Sequence, residues 1–353
     1  KNIVAEVAPY HEWQKQEGIH IIRGRCVDEL RTAELGPWAS KGGRGAFVNL
    51  EGTEMSADAY IAEIPPGGSL NPERHVFEEL IFIVQGRGAT TIWTEGSRKQ
   101  TFEWGEGSLF SPPLNVWHQD FNGQGDKPVR YLAMTSAPLM INLFHSLDFI
   151  FNCDHDFRDR YSGEEGYFSG QGKNYAERIW ESNFIANVYD FKLQEWQQRG
   201  PGTNASFQMA GNTMAAHVSE FPMGTYKKAH RHTVTAHLIL LSGQGYSLLW
   251  PDDGELQRVD WHTGSMFNNG HDWWFHQHFN SGREPARYLA LHWGSSKFGG
   301  LSFSCSKRPS GSVSIKEGGS QIEYEDEDPR IREIFTAEMA KVGLTPKMPA
   351  IKR

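Results

Sequence analysis

The chain repeats itself, and few folds satisfy that. At an offset of 157 or 158 residues, Gly86-Arg87-Gly88 recurs as Gly243-Gln244-Gly245 and Trp93 as Trp250. Arg130-Tyr131-Leu132-Ala133 recurs as Arg287-Tyr288-Leu289-Ala290, and Glu63 and Pro65 as Glu220 and Pro222. The run His118-Gln119-Asp120-Phe121-Asn122 returns as His276-Gln277-His278-Phe279-Asn280, and His75 as His232. So many matches in one register make chance a poor explanation and imply two copies of one unit. Within a copy, short apolar runs such as 59–64, 80–84, 90–93 and 129–133 are separated by Gly and Pro at 65–68, 105, 107 and 112–113. Short strands between tight turns make an all-β unit.

The expected organisation follows from the repeat. Residues 1–145 hold a lead-in arm and the first copy, 146–180 a linker, 181–300 the second copy and 301–353 a tail. The linker shows no clean helix or strand period. It is rich in aromatics and acids, and is read as packing its rings between the copies; a lid over one pocket is the alternative. In the tail, Asp328 can cap a helix near 329–342, with Pro329 in the first turn. Ile331, Ile334, Phe335, Met339 and Val342 form one apolar stripe on it, suited to a barrel or a partner subunit.

Chemistry concentrates between His230 and Asn280. On a strand, His230 and His232 point the same way, because side chains alternate with period two. His276 follows at the end of the return run. Three neutral imidazoles converging from two neighbouring strands make a facial metal site with open positions opposite. In the first copy the corresponding residues are Glu73, His75, Glu79 and His118, a mixed set that suits Mn(II), Fe(II) or Zn(II). Arg74 and Arg87 are near in sequence, so those carboxylates could equally pair with arginine. His278 shares a face with His276 and is a candidate acid or base. His237 is a second such candidate, although as the residue after Ala236 it should point to the other face. Trp250, Trp274, His217 and His292 are candidates for the substrate pocket, with core packing as the commoner job of such residues.

These residues resemble the cupin motifs G-x5-HxH-x3-4-E-x6-G and G-x5-PxG-x2-H-x3-N. Gly224, His230, His232 and Gly243 fill the first; Gly264, His276 and Asn280 fill the second, with one residue extra before His276. The motif's glutamate position, seven before Gly243, is Ala236; in the first copy it is Glu79. The resemblance implies two tandem cupin barrels, each a double-stranded β-helix or jelly roll, followed by the short C-terminal helix. His230-Arg231-His232-Thr233 with Ala236 is similar to the three-histidine ring-cleaving dioxygenases of the gentisate type. That likeness implies a dioxygenase using Fe(II), with Mn, Zn or Ni as alternatives, acting with dioxygen on a hydroxylated aromatic or related small organic acid. The family's working triad usually lies in the first barrel, and its substrate-binding residues have no match here. Two other readings stay open: non-oxidative decarboxylation, isomerisation or hydrolysis, and a non-catalytic ligand-binding bicupin.

Composition narrows the partners. A net charge of -8 and a pI near 6.0 argue against non-specific binding to nucleic acid or an acidic membrane surface. No apolar run approaches transmembrane length, and the start of the chain has no signal-peptide core. Cys26, Cys153 and Cys305 form no CxxC pair or disulfide framework, which suits a reducing cytoplasm. A homo-oligomer is expected by analogy with other duplicated barrels.

Overall fold

The computed structural model describes residues 8–53, 56–232, 236–271, 273–298 and 312–349. The chain's first residues, Thr233 and Cys305 lie outside that set. Each copy is a large sheet facing a three-stranded one. In the first copy the large sheet runs His20–Gly24, Gly43–Leu50, Asp58–Ile64, Val129–Thr135, Glu79–Gln85, Leu109–Phe110 and Phe184–Ile185, with Gly36–Trp38 beside Gly43–Leu50. Its partner runs Trp117–Asn122, Arg87–Trp93, Gln100–Gly105. The second copy repeats this with Met214–Phe221, Ala286–Trp293, Ala236–Ser242 and Met266–Asn268 in the large sheet, and Gln257–His262, Gln244–Trp250 and Phe275–Asn280 in the small one. Two paired-sheet units are what the repeat predicts, and the C-terminal helix is present at Pro329–Lys341.

The central strands bury both faces. In Glu79–Gln85, Leu80, Phe82 and Val84 enter a core shared by the two copies, while Ile81 and Ile83 line the first interior. In Ala236–Ser242, Ile239 and Leu241 join the shared core, while Ala236, Leu238 and Leu240 face the second interior. A strand packed on both sides reads as a continuous apolar run, and parity decides which cavity a residue sees. Glu78 ties the copies further: its carboxylate accepts from Thr213 N and Met214 N, both at 2.9 Å, and from Arg160 Nη2 at 3.2 Å.

The repeated motifs have structural causes. Arg130 pairs with Glu63 at 2.7 Å and donates to Ala33 O at 3.0 Å; Arg287 pairs with Glu220 at 3.2 Å and donates to Val188 O at 3.0 Å. Each pair pins the segment leading into its own copy. Gly88 and Gly245 exist because a Cβ there would sit 2.0 Å from Phe121 O and Phe279 O respectively.

Strand pairing crosses the boundaries drawn from sequence. Cys26–Val27, in the lead-in arm, pairs with Met266–Asn268 of the second copy. Phe184–Ile185, placed in the second copy, pairs with Leu109–Phe110 of the first. The linker is also less irregular than expected: it holds a helix, Leu147–Asn152, and strands Lys173–Ala176 and Ile179–Glu181. The helix was hidden because its six residues are too few to show a period. Its Ile150 reaches the first interior core, where Phe151, Phe157 and Phe168 also pack. These rings pack against the first copy.

The terminal helix lays Ile331, Phe335 and Met339 on Tyr226, Tyr246, Leu248 and Phe279. Asp328 caps it by accepting from Arg330 N at 2.9 Å. Phe335 is fully buried. Phe335→Ala is expected to lower stability by about 3–5 kcal/mol in urea unfolding, the usual cost of emptying a buried aromatic site, while metal content per folded chain stays unchanged.

Candidate metal centre

In the second copy two backbones hold the site together. His230 N donates to His276 O at 3.1 Å and His276 N to His230 O at 2.9 Å. His230 is not inside a regular strand; it makes an isolated bridge to His276. The outcome is still the convergence expected from alternation. Ring centroids are 4.2 Å apart for His230 and His276, and 4.8 Å for His232 and His276. One ring nitrogen from each of the three lies within 4.8 Å of the others. The extra residue before His276 does not shift its register: His276 lies opposite Leu249 as His118 lies opposite Ile92.

The second ring nitrogen fixes the first. His230 Nδ1 is 3.1 Å from Lys228 O, and His276 Nδ1 is 3.4 Å from Trp274 O. A proton shared with a carbonyl sits on Nδ1 and leaves the lone pair on Nε2; in His230 that lone pair accepts from Arg199 Nη1 at 2.7 Å, a bond that a metal would replace. Burial, then the neighbouring Arg199 and histidines, keep His230 and His276 well below the usual imidazole pKa. His230 and His276 are therefore neutral, and the convergent three-imidazole set fits a divalent cation.

The first copy repeats the frame with other donors. Glu73 and His118 exchange backbone bonds at 3.0 and 2.9 Å. His75 Nδ1 is 2.9 Å from Phe77 O and His118 Nδ1 3.2 Å from Val116 O. Glu73, His75, Glu79 and His118 bring one ligand atom each within 4.8 Å of one another. The neighbouring cation is neither Arg74 nor Arg87 but Lys41, whose buried ammonium pairs with Glu73. Burial would raise the Glu73 carboxyl, but Lys41 and then His118 hold it well below the usual range. His118 moves the other way: burial lowers it, yet Glu73 and Glu79 push it up to about 9.

Above the second triad is a cavity of about 500 Å³. His217 and His292 line it, with ring centroids 5.2 Å apart. Trp250 and Trp274 do not. Trp250 stacks on Phe275 beside the terminal helix, and Trp274 packs against the second interior core. Trp196 and Trp293 stand on the wall instead, with Tyr288, Arg178, Arg199 and Lys227. Among the described residues the lining holds no aspartate or glutamate. Burial lowers all three cations, Arg199 to about 10 and Lys227 to about 7.

His278 sits behind the triad. Its Nδ1 is 2.8 Å from Ser247 Oγ, which accepts from Trp261 Nε1 at 3.0 Å. The first copy has the same relay, with Trp104 donating to Thr90 at 2.8 Å and Thr90 to Asp120 at 2.6 Å. His278 thus touches the frame rather than the cavity. His237 is not brought to the site. It shares parity with Ile239 and Leu241, so its ring faces the core between the copies, buried and with neither nitrogen hydrogen-bonded. Burial alone pushes it down to about 4.

No family model and no curated protein matches the chain. Solved structures do. Oxalate decarboxylase of Bacillus subtilis at pH 4.6 is 14% identical, with a TM-score of 0.51 over 77% of this chain and 77% of that one. A second structure of that enzyme, described by its Mn(II) centres, gives 14%, 0.51, and 77% and 78% of the two chains. A third oxalate decarboxylase structure gives 14% and 0.51 over 76% and 77%. The chain has the bicupin fold. At this identity the likeness establishes the fold and leaves the chemistry to the residues. The bicupin expectation stands, while nothing in these likenesses carries the gentisate-type specificity or selects iron.

Two outcomes follow. His237→Leu is expected to leave metal content unchanged and stability equal or higher, since it removes a buried polar ring without a hydrogen bond. Metal analysis beside urea unfolding checks both. In chelator, the stability that His118 contributes should be full below pH about 6.5 and lost as pH rises toward about 9, because its folded pKa is raised. A urea midpoint that fell equally with pH in His118→Gln would refute this.

Proposed function

We propose that the protein is a metal-dependent enzyme acting on a small organic acid by non-oxidative chemistry, with decarboxylation as the leading case. The observation that carries this is the pairing of a three-histidine cluster with a cavity whose wall bears Arg178, Arg199 and Lys227 and, among the described residues, no carboxylate. Buried cations without anionic partners are costly, and an acidic substrate offsets that cost. His230, His232 and His276 would hold the metal, which would act as a Lewis acid toward the substrate's oxygens.

The chain's own groups do the rest. Arg178, held by Asn204 Oδ1 at 2.5 Å and Ser206 Oγ at 2.9 Å, is fixed on the wall. Lys227 Nζ donates to Pro201 O at 3.1 Å, and burial, then the neighbouring Arg199, push its ammonium down to about 7. It could therefore yield a proton at neutral pH, as protonation of the carbon left by a departing carboxylate requires. His217 and His292, which burial keeps neutral, can accept or donate one hydrogen bond each.

The ring-cleaving reading yields to this one. Trp250 and Trp274 leave the wall they were expected to form, and the structural relatives are oxalate decarboxylases. Three imidazoles suit several divalent ions, so the donor set does not single out Fe(II). The test is metal analysis of the native protein and His232→Ala, followed by assays of carbon dioxide release and oxygen uptake on a panel of small mono- and dicarboxylic acids. One equivalent of metal lost in the variant, with carbon dioxide released and no matching oxygen consumption, is expected. One dioxygen consumed per turnover would return the weight to oxygen insertion.

A further inference from the structure

Each copy delivers a cation to the same place. Trp38-Ala39-Ser40-Lys41 recurs, in the register of the repeat, as Trp196-Gln197-Gln198-Arg199. The first arm leaves Gly36–Trp38, antiparallel to Gly43–Leu50; the second leaves Gln194–Glu195, antiparallel to Thr203–Gln208. Lys41 Nζ lies 5.4 Å from the Trp38 ring, and Arg199 Cζ 5.5 Å from the Trp196 ring. Each cation then meets the first residue of its ligand set. Lys41 pairs with Glu73, and Arg199 Nη1 lies 2.7 Å from His230 Nε2.

The cation is common to both copies, but the charge opposite it is not. Glu73, Glu79 and Asp120 stand where the second copy has His230, Ala236 and His278. Tyr60, which links Lys41 to Glu79, corresponds to His217. Lys41 is thus neutralised by its own chain. Arg199 faces imidazoles, which cannot neutralise a guanidinium, and its buried Nε makes no hydrogen bond.

Resting on the reading of the second cavity as an acid-binding site, we propose that Glu73 supplies in the first barrel the negative charge that a substrate carboxylate supplies in the second. Arg199 anchors that carboxylate. The first barrel is closed to anions by its own side chain, so the duplicated protein has one anion site per chain. A guanidinium presents a planar fork that matches a carboxylate bidentately, whereas Lys41 needs only one carboxylate oxygen.

The test is isothermal titration of succinate into the full-length protein as purified, and into Arg199→Gln, Glu73→Gln and Glu73→Gln/Lys41→Gln. The wild type should take one equivalent. Arg199→Gln should bind at least about tenfold more weakly, the loss of one charged hydrogen bond. Glu73→Gln should take a second equivalent, which the added Lys41→Gln removes. Glu73→His, carrying the second barrel's residue, replaces Glu73→Gln should the latter unfold. No binding by the wild type, unchanged binding by Arg199→Gln, or a stoichiometry of one in both Glu73 variants would overturn the proposal. Metal content and turnover of the same samples separate the two ideas. Succinate bound through Arg199 without any metal-dependent turnover removes the enzymatic reading and leaves the anion site. Metal-dependent turnover that ignores Arg199 does the reverse.

Discussion

Burial of both faces of the central strands is the constraint on which the rest depends. A strand such as Ala236–Ser242 has no solvent side: one parity packs into the core between the barrels and the other lines an interior. Every residue on it is thereby assigned to one of two environments by position alone. Ala236 opens onto the cavity and His237, one step on, is sealed in the shared core. The small sheet then closes over the interior, and reciprocal backbone bonds between positions 230 and 276 fix where its two ligand segments cross. The geometry of the two candidate sites is a property of the backbone lattice, which carries quite different side chains in the two copies.

Much of this was legible in the sequence because it is periodic or repeated. The duplication, the His230, His232 and His276 convergence, the Glu73, His75, Glu79 and His118 set and the capped terminal helix all depend on spacing within one register. What was missed depends on contacts between distant segments. Arg199 reaches the cavity from the lead-in to the second copy, outside the motif that drew attention, and Lys227 stands inside that motif at one of its unspecified positions. The Trp-x-x-cation match at 38–41 and 196–199 was available in the sequence, but two positions carry little signal without knowing what they approach. Trp250 and Trp274 were misplaced for a physical reason: an aromatic ring is most often held by other rings, and Phe275 and the second interior core supplied them. The linker strands were invisible because three- and four-residue edges take their stability from the neighbouring sheet rather than from a local pattern.

The two barrels also show how one scaffold supports opposite electrostatics. Around Lys41, Glu73, Glu79 and Asp120 give the first interior an excess of acid, relieved by a protonated His118. Around Arg199 the described lining of the second cavity carries histidines, arginine and lysine and no carboxylate. The frame that aims both sets of side chains is built from main-chain bonds and core packing.

The exchanged edge strands bear on how such a chain is made. Leu109–Phe110 is left with an exposed edge until Phe184–Ile185 arrives, some way beyond the end of the first copy. Met266–Asn268, by contrast, finds Cys26–Val27 already synthesised and waiting. During translation the first barrel therefore spends an interval with an unpaired edge, the feature most prone to improper pairing with another chain. A ribosome or chaperone that shields residues near 109 until position 185 has emerged would protect this protein more than one acting later.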